Sequence, residues 1–354
     1  MHSRTPPALH AELRGLILAT RAQVSQAVNS GLTLLYWQIG DRIHREVLKE
    51  KRAGYGDEII QTLSGKLTSE FGSGFGARNL ARMVSFAGAF SDLKILTTLS
   101  SKLSWSHFVI ILTVADGLAR EFYAEMCRVE RWSVRTLRTK IESQLFLRTT
   151  LSKKPEKLAR QELAALRQQD RLSPDLVFRD PYVLDFLGLK NSYAEKDLEV
   201  AILREMEAFI LELGVGFAFV ERQKRMTVGG VDHYLDLLFY HRRLKRLVAI
   251  DLKLGHFAPA DKGQMELYLA WLKENEQAAS EGSPLGLILC AGKNEETVRL
   301  LGLDRGEIRV ASYLAKALPK KELERKFHDA VRLAREQLAT NQTKSPKALP
   351  SPRT

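Results

Sequence analysis

Three residues on two neighbouring apolar segments carry the most specific chemistry in this chain. Asp236 lies within Tyr234-Leu-Asp-Leu-Leu-Phe-Tyr240, and Asp251 and Lys253 lie within Arg246-Leu-Val-Ala-Ile-Asp-Leu-Lys253. Both segments have the composition of β-strands. A hairpin turning between Arg243 and Leu244 pairs residues whose numbers sum to 487, which sets Asp236 opposite Asp251, with Cβ atoms about 5 Å apart. Lys253 follows two residues later and so shares the face of Asp251. Like charges facing each other in a half-buried sheet are destabilising unless something neutralises them. A divalent cation does so, and two hard carboxylates suit Mg²⁺ or Mn²⁺. Such an ion acidifies water and stabilises charge on a phosphoryl oxygen, with Lys253 placed to orient the water. The same residues can also be read as one salt bridge between Lys253 and a single aspartate, the other being exposed. The surrounding Leu235, Leu237, Leu238 and Leu247–Ile250 favour a constructed site, because charges in such strands are costly without a use.

The elements that must position these residues follow from periodicity. Asp197–Leu213 has a helical pattern, ended by Gly214 and Gly216. Three strands are predicted next, beginning with Phe217–Gln223, then a helix over Asp261–Lys273, a strand over Leu285–Cys290, a helix over Glu295–Leu301 and a strand over Ile308–Ser312. This order describes an α/β domain with a mixed sheet, assigned to residues 181–338. A helix over Lys320–Leu338 leads to a Pro-rich basic tail, 339–354, predicted to be disordered. Residues 151–180, with Pro155, Pro174 and Pro181 around one embedded helix, read as a connector. Residues 9–150 read as all-helical. Leu13, Leu16, Ile17, Val24, Val28, Leu32 and Leu35 form a helical stripe, and Gly-bearing turns separate the later short helices. That pattern suits a compact bundle or a helix-turn-helix relative.

The sequence resembles the YhcG-type members of the PD-(D/E)XK nuclease superfamily. The resemblance rests on GFAFVERQKRM and YLDLLFYHRRLKRLVAIDLKLGHFAPADKGQMELYLAWL, and in the first half on LTLLYWQIGDRI, GYGDEIIQTLSGKLTSEFG, RNLARMVSFA and LSWSHFVIIL. It implies a restriction-endonuclease-like α/β core behind a helical domain. It makes Asp236 and Asp251 the acidic positions and Lys253 the lysine. It also implies a glutamate from the preceding helix, Glu199 with Glu205 as substitute, and a Gln on the following helix, Gln264, with Tyr268 one turn on. Leu235 stands where the name-giving Pro would be, and Asp251 is one methylene shorter than the Glu of related sequences.

Composition agrees with a nucleic-acid partner. The 354 residues include 54 Lys and Arg against 42 Asp and Glu, for a formal net charge of +12, which draws polyanions. In the helical half, Arg78, Asn79 and Arg82 follow a Gly-rich turn, while Arg131, Arg135 and Arg138 form a second basic set. Each set can contact phosphates or base edges, and each can equally be a solvated helix face. Gly72–Gly76 is not a phosphate loop, since it follows a helix and lacks the lysine. The four tryptophans are expected in the cores. Two cysteines and eight unpaired histidines exclude a disulfide framework and a zinc site. No apolar run is long enough to span a bilayer, and the N-terminus lacks a signal-peptide core, so a cytoplasmic protein is expected. The function expected from all this is a Mg²⁺- or Mn²⁺-dependent endonuclease acting on nucleic acid, with DNA preferred. The alternative is a nucleic-acid-binding or regulatory protein of the same fold. Further expected partners are restriction or defence system subunits and a second copy of the chain in a homodimer.

Overall fold

The computed structural model describes residues 7–49, 55–188, 194–303 and 306–315, with isolated residues from 325 to 336. The chain divides into two compact units, Met1–Ser143 and Gln144–Thr354.

The first unit is helical throughout: α1 (Pro7–Lys49), α2 (Tyr55–Phe71), a 3₁₀ turn (Ser73–Phe75), α3 (Ala77–Ala89), α4 (Leu93–Ser100), α5 (Trp105–Ile111), α6 (Gly117–Glu130) and α7 (Val134–Glu142). Side chains of Asp92, Asp116 and Ser133 accept backbone N–H groups and start α4, α6 and α7. Ile43, Leu80 and Met83 form one core, ringed by Tyr36, Phe75 and Trp105 among others. Its tightest point is Gly40, where an added Cβ would collide with the carbonyl of Met83. A residue without a side chain is what lets α1 lie directly on α3. The first stretch of α1 departs from the expected bundle, because every residue from Leu9 to Asn29 is exposed, stripe included. Only from Ser30 onward does the helix pack against its own unit.

The second unit begins with α8 (Leu145–Arg148), α9 (Thr150–Lys153), α10 (Glu156–Gln169) and α11 (Pro174–Val177), then β1 (Tyr182–Val183), α12 (Glu195–Arg204) and α13 (Met206–Leu213). After these come β2 (Phe217–Val228), β3 (Val231–His241), β4 (Arg246–His256), α14 (Pro259–Asn275), β5 (Leu285–Gly292), α15 (Glu295–Leu300) and β6 (Ile308–Leu314). The six-stranded sheet has the order β1-β6-β5-β4-β3-β2. Strands β2, β3 and β4 form an antiparallel meander, and β4, β5, β6 and β1 are parallel neighbours, so the sheet is mixed as expected. Leu198, Ile202, Phe209 and Leu213 of α12 and α13 pack against Leu237, Phe239 and Ile250. Met265, Tyr268 and Leu272 of α14 pack against Leu238, Leu247 and Ala249 in a second core.

Three expectations change. The helix predicted over Asp197–Leu213 is two helices meeting at Glu205, whose φ of −104° and ψ of 32° break the helical path. Strands β2 and β3 run on to a tight turn at Gly229-Gly230, where φ values of 58° and 81° need glycine. Residues 151–180 fall inside the second unit. The expected helix Lys320–Leu338 lies largely, and the tail 339–354 entirely, outside the described residues.

Charge ties residues 144–180 to the sheet. Asp180 is buried and ion-paired to Lys153 and, at 2.6 Å, to Lys293. It also accepts the N–H of Ser312 on β6 at 3.0 Å. Glu212 at the end of α13 pairs with Arg148 and, at 3.0 Å, with Arg179, and accepts Val183 N–H at 2.9 Å. Burial alone would raise both carboxyl groups, but the paired cations hold each below its ordinary value. Stability from a depressed carboxyl is complete above its unfolded value and drains as pH falls through the folded one. Urea denaturation is therefore expected to show stability falling as pH drops below about 4.5. Asp180→Asn should cost about 3 kcal/mol at pH 7, with the difference narrowing at pH 3.

Candidate active site

The hairpin of β3 and β4 has the expected register. Pairs run from His241↔Arg246 to Leu237↔Ile250, each summing to 487. The ladder stops there, one pair short of Asp236 and Asp251. Leu235 and Leu238 belong to the core under α14 while Leu237 belongs to the opposite one. The alternation of side chains therefore slips by one at Asp236. On the other flank, Arg222↔Leu237 and Lys224↔Leu235 bracket Gln223, whose φ of 47° is left-handed. Such a conformation in a non-glycine residue is uncommon and clusters at functional positions.

This slip corrects the expectation that the two aspartates face each other on one sheet face. Asp236 turns towards α12. Its Oδ1 accepts from Gln223 Nε2 at 3.1 Å, and its Oδ2 accepts the N–H of Leu252 at 2.8 Å. The same Gln223 amide reaches Glu199 Oε2 at 3.0 Å. Asp251 continues the α14 face of β4, 3% exposed, with Lys253 Nζ 3.0 Å from its Oδ2. The contact is an ion pair on a buried oxygen. Lys253 Nζ also donates to Gln264 Oε1 at 3.3 Å, Gln264 Nε2 to the Tyr268 hydroxyl at 2.6 Å, and that hydroxyl to the carbonyl of Tyr234 at 3.0 Å. The structure thus brings Asp236 together with Glu199, and Lys253 with Asp251 and Gln264. Glu205 stays at the break between α12 and α13, against Arg204.

The two groups remain coupled through space. Burial pushes Asp251 up to about 6, against the pull of Lys253 and with a further push from Asp236. Burial also raises Asp236, and burial with the charge of Asp236 raises Glu199. Burial would lower Lys253, yet the Asp251 carboxylate leaves it above its ordinary value. Three carboxyl groups raised together, one of them buried with a single ammonium against its Oδ2, are a donor set short of positive charge. A divalent cation fits that chemistry. Among the described residues, however, no three His, Cys, Asp or Glu side chains are already arranged to hold one.

Two participants escaped the sequence reading. Glu195, one turn before Glu199, accepts the N–H of Leu254 at 3.1 Å, and its i, i+4 spacing was the available signal. Gln223 was findable only from the β2–β3 register. Both line a cleft of about 490 Å³ with Glu199, Arg222 and Asp236. In the helical unit, Arg78, Arg135 and Arg138 are exposed and Arg82 is half-buried. Asn79 is engaged internally, donating to the Gly74 carbonyl at 2.6 Å and accepting from Trp105 Nε1 at 3.1 Å. Its amide braces the turn before α3.

Comparison with known proteins matches both units. The family described as the DUF1016 N-terminal domain matches residues 12–148, and the YhcG PDDEXK nuclease domain matches residues 175–328. A protein of Escherichia coli (strain K12) named "Putative nuclease YhcG" is 36% identical over 327 residues, covering 83% of this chain and 86% of its own. Among solved structures, a repair endonuclease from Pyrococcus abyssi aligns with 35% of this chain at 19% identity and a TM-score of 0.25, and EndoMS in apo form with 37% at 17% and 0.25. The chain spans about half the length of those two structures, 49% and 48%. Among the described residues no helix is long and apolar enough to cross a membrane.

A carboxyl raised to about 6 costs stability at neutral pH, because its ionised form is disfavoured in the fold. Asp251→Asn is therefore expected to raise stability by about 1–2 kcal/mol at pH 7, a gain that shrinks as pH falls towards 4. Loss of stability at pH 7 would instead identify the Asp251–Lys253 contact as a structural salt bridge.

Proposed function

The chain belongs to the YhcG PDDEXK nuclease family, and we propose that this member is a metal-dependent endonuclease that hydrolyses phosphodiester bonds in DNA. The observation that supports the reading is the buried Asp251 carboxylate with Lys253 Nζ 3.0 Å away, inside the domain that gives the family its name. Asp236 and Asp251, with Glu199 beside them, are the residues that would hold Mg²⁺ or Mn²⁺. When bound, such an ion supplies positive charge to the scissile phosphate and acidifies water.

The remaining work belongs to the chain's own side chains. Lys253 Nζ donates to the attacking water or to the phosphoryl oxygen on which charge builds, a role worth most in a water-poor site. Gln264 and Tyr268 restrict where that ammonium can point, through the hydrogen bonds that run from Lys253 to the Tyr234 carbonyl. The water gives up a proton to solvent as its oxygen forms a new bond to phosphorus, the ester P–O bond opposite it breaks, and the departing oxygen takes a proton from solvent. Arg78 and Arg82, with Arg135 and Arg138, are assigned to phosphate contacts that hold the substrate.

A second reading has one observation in its favour. The Gln223 amide occupies the space between Glu199 and Asp236, as it would in a site given over to binding or regulation within a restriction or defence system. Cleavage assays separate the two. Wild-type protein should cut DNA with Mg²⁺ or Mn²⁺ and not in EDTA, and Asp236→Ala or Asp251→Ala should fall to background. Lys253→Ala should slow turnover about 10²–10³-fold with little change in metal affinity by calorimetry. Activity that persists in EDTA, or after loss of both aspartates, would falsify the metal mechanism, and binding without cleavage favours the second reading. In gel-shift titrations affinity should fall steeply with added salt. Arg78→Ala with Arg82→Ala should weaken binding while the melting of the nuclease unit stays unchanged.

A further inference from the structure

The exposed stretch of α1 needs a partner. Between residues 9 and 29 only Glu12, Arg14 and Arg21 carry full charge, and Gly15 lies inside the helix. A single helix of about 20 residues with so few ion pairs and an interior glycine is marginal in water on its own. Its apolar side chains do not turn back onto the unit. Leu9, Leu13, Ile17, Val24, Val28 and Leu32 are between 42% and 58% exposed. Leu32 stays open even where the other side of α1, through Thr33, Gly40 and Ile43, is buried.

The spacing of these six residues identifies what covers them. Successive gaps are 4, 4, 7, 4 and 4 residues, a pattern symmetric about the midpoint of Thr20 and Arg21. Laid antiparallel on a second copy so that residue numbers sum to 41, the stripe sets Leu9 against Leu32, Leu13 against Val28 and Ile17 against Val24. An interface on a two-fold axis must be self-complementary in this way, each residue i meeting j while j meets i. Leu35, 41% exposed, extends the same face, and Leu16 and Leu18, 60% and 48% exposed, flank it. A continuous apolar face over about six helical turns exceeds a scattering of surface leucines and marks an interaction surface. At the axis, Thr20 of one copy meets Arg21 of the other, an acceptor facing a donor.

We propose that α1 is a dimerisation helix, pairing antiparallel with α1 of a second copy about an axis between Thr20 and Arg21. The pairing stands apart from the nuclease reading and uses none of its residues. Full-length protein should sediment as a dimer at micromolar concentration. Ile17→Arg with Val24→Arg places charges at the centre of the contact and should weaken the dimer on the order of a hundredfold. Melting of the remainder of the protein should be unaltered, since both side chains are more than half exposed and lie outside the unit's core. A second arm reads the register: Leu13→Cys with Val28→Cys should form disulfide-linked dimers on mild oxidation, whereas Leu13→Cys alone should not. Native Cys127 and Cys290 are buried and stay silent. A wild-type monomer at tens of micromolar, which would leave the stripe to another protein or to the chain's own C-terminal residues, overturns the pairing. So does a dimer indifferent to the two arginines, or one that links through Leu13→Cys alone.

Discussion

Where two paired strands separate, their backbone groups lose partners, and something must replace them. In this protein the replacement is the carboxylate of Asp236, which takes the N–H of Leu252 just past the last rung of the β3–β4 ladder. That single contact places an acid between two strands instead of on a face. From there it reaches α12 through Gln223 on one side and influences Asp251 and Lys253 on the other. The helices α12 and α14, packed on separate cores, each bring a residue to one of the two groups, Glu199 to Asp236 through Gln223 and Gln264 to Lys253. Glu195 makes a parallel contact with Leu254 N–H two residues along β4, so the freed edge of β4 is capped by acids twice.

The other end of the sheet is held by a different kind of interaction. Asp180 and Glu212 together engage Lys153, Lys293, Arg148 and Arg179. These charges bridge helices that precede the sheet to β1 and β6. Buried ion pairs are a poor source of net stability, yet breaking one strands its partner. Their effect here is to specify which segments meet. Asp175 extends the arrangement by pairing with Lys154 and with Arg309 on β6. A segment rich in charge and proline thereby becomes part of a domain.

Much of this was legible in the sequence because strand pairing is arithmetic. The turn between Arg243 and Leu244 fixes the sum 487, and the ladder keeps that sum from His241↔Arg246 to Leu237↔Ile250, next to Asp236 and Asp251. What the sum does not contain is the slip at Asp236, which depends on a left-handed Gln223 in the next strand. No local pattern announces that conformation. The charged segment before the sheet shows a related limit, since Lys153, Asp180 and Lys293 are far apart in sequence and look solvated until they meet. The stripe on α1 was visible, but periodicity reports only that a face is apolar and is silent on what lies against it. Asn79 shows the converse limit, a residue suited to reading bases that is occupied in bracing a turn against Trp105.

Gly40 gives α1 a mechanical character. The helix rests on α3 where a side chain would strike the Met83 carbonyl, and it is held again at Trp37 and Ser30, through the Phe90 carbonyl and Ser100. From Asn29 back to His10 it stands clear of the unit, a projecting rod of about 30 Å at 1.5 Å per residue. Three points of attachment over ten residues fix the direction in which that rod projects, so the close approach at Gly40 sets where its far end lies.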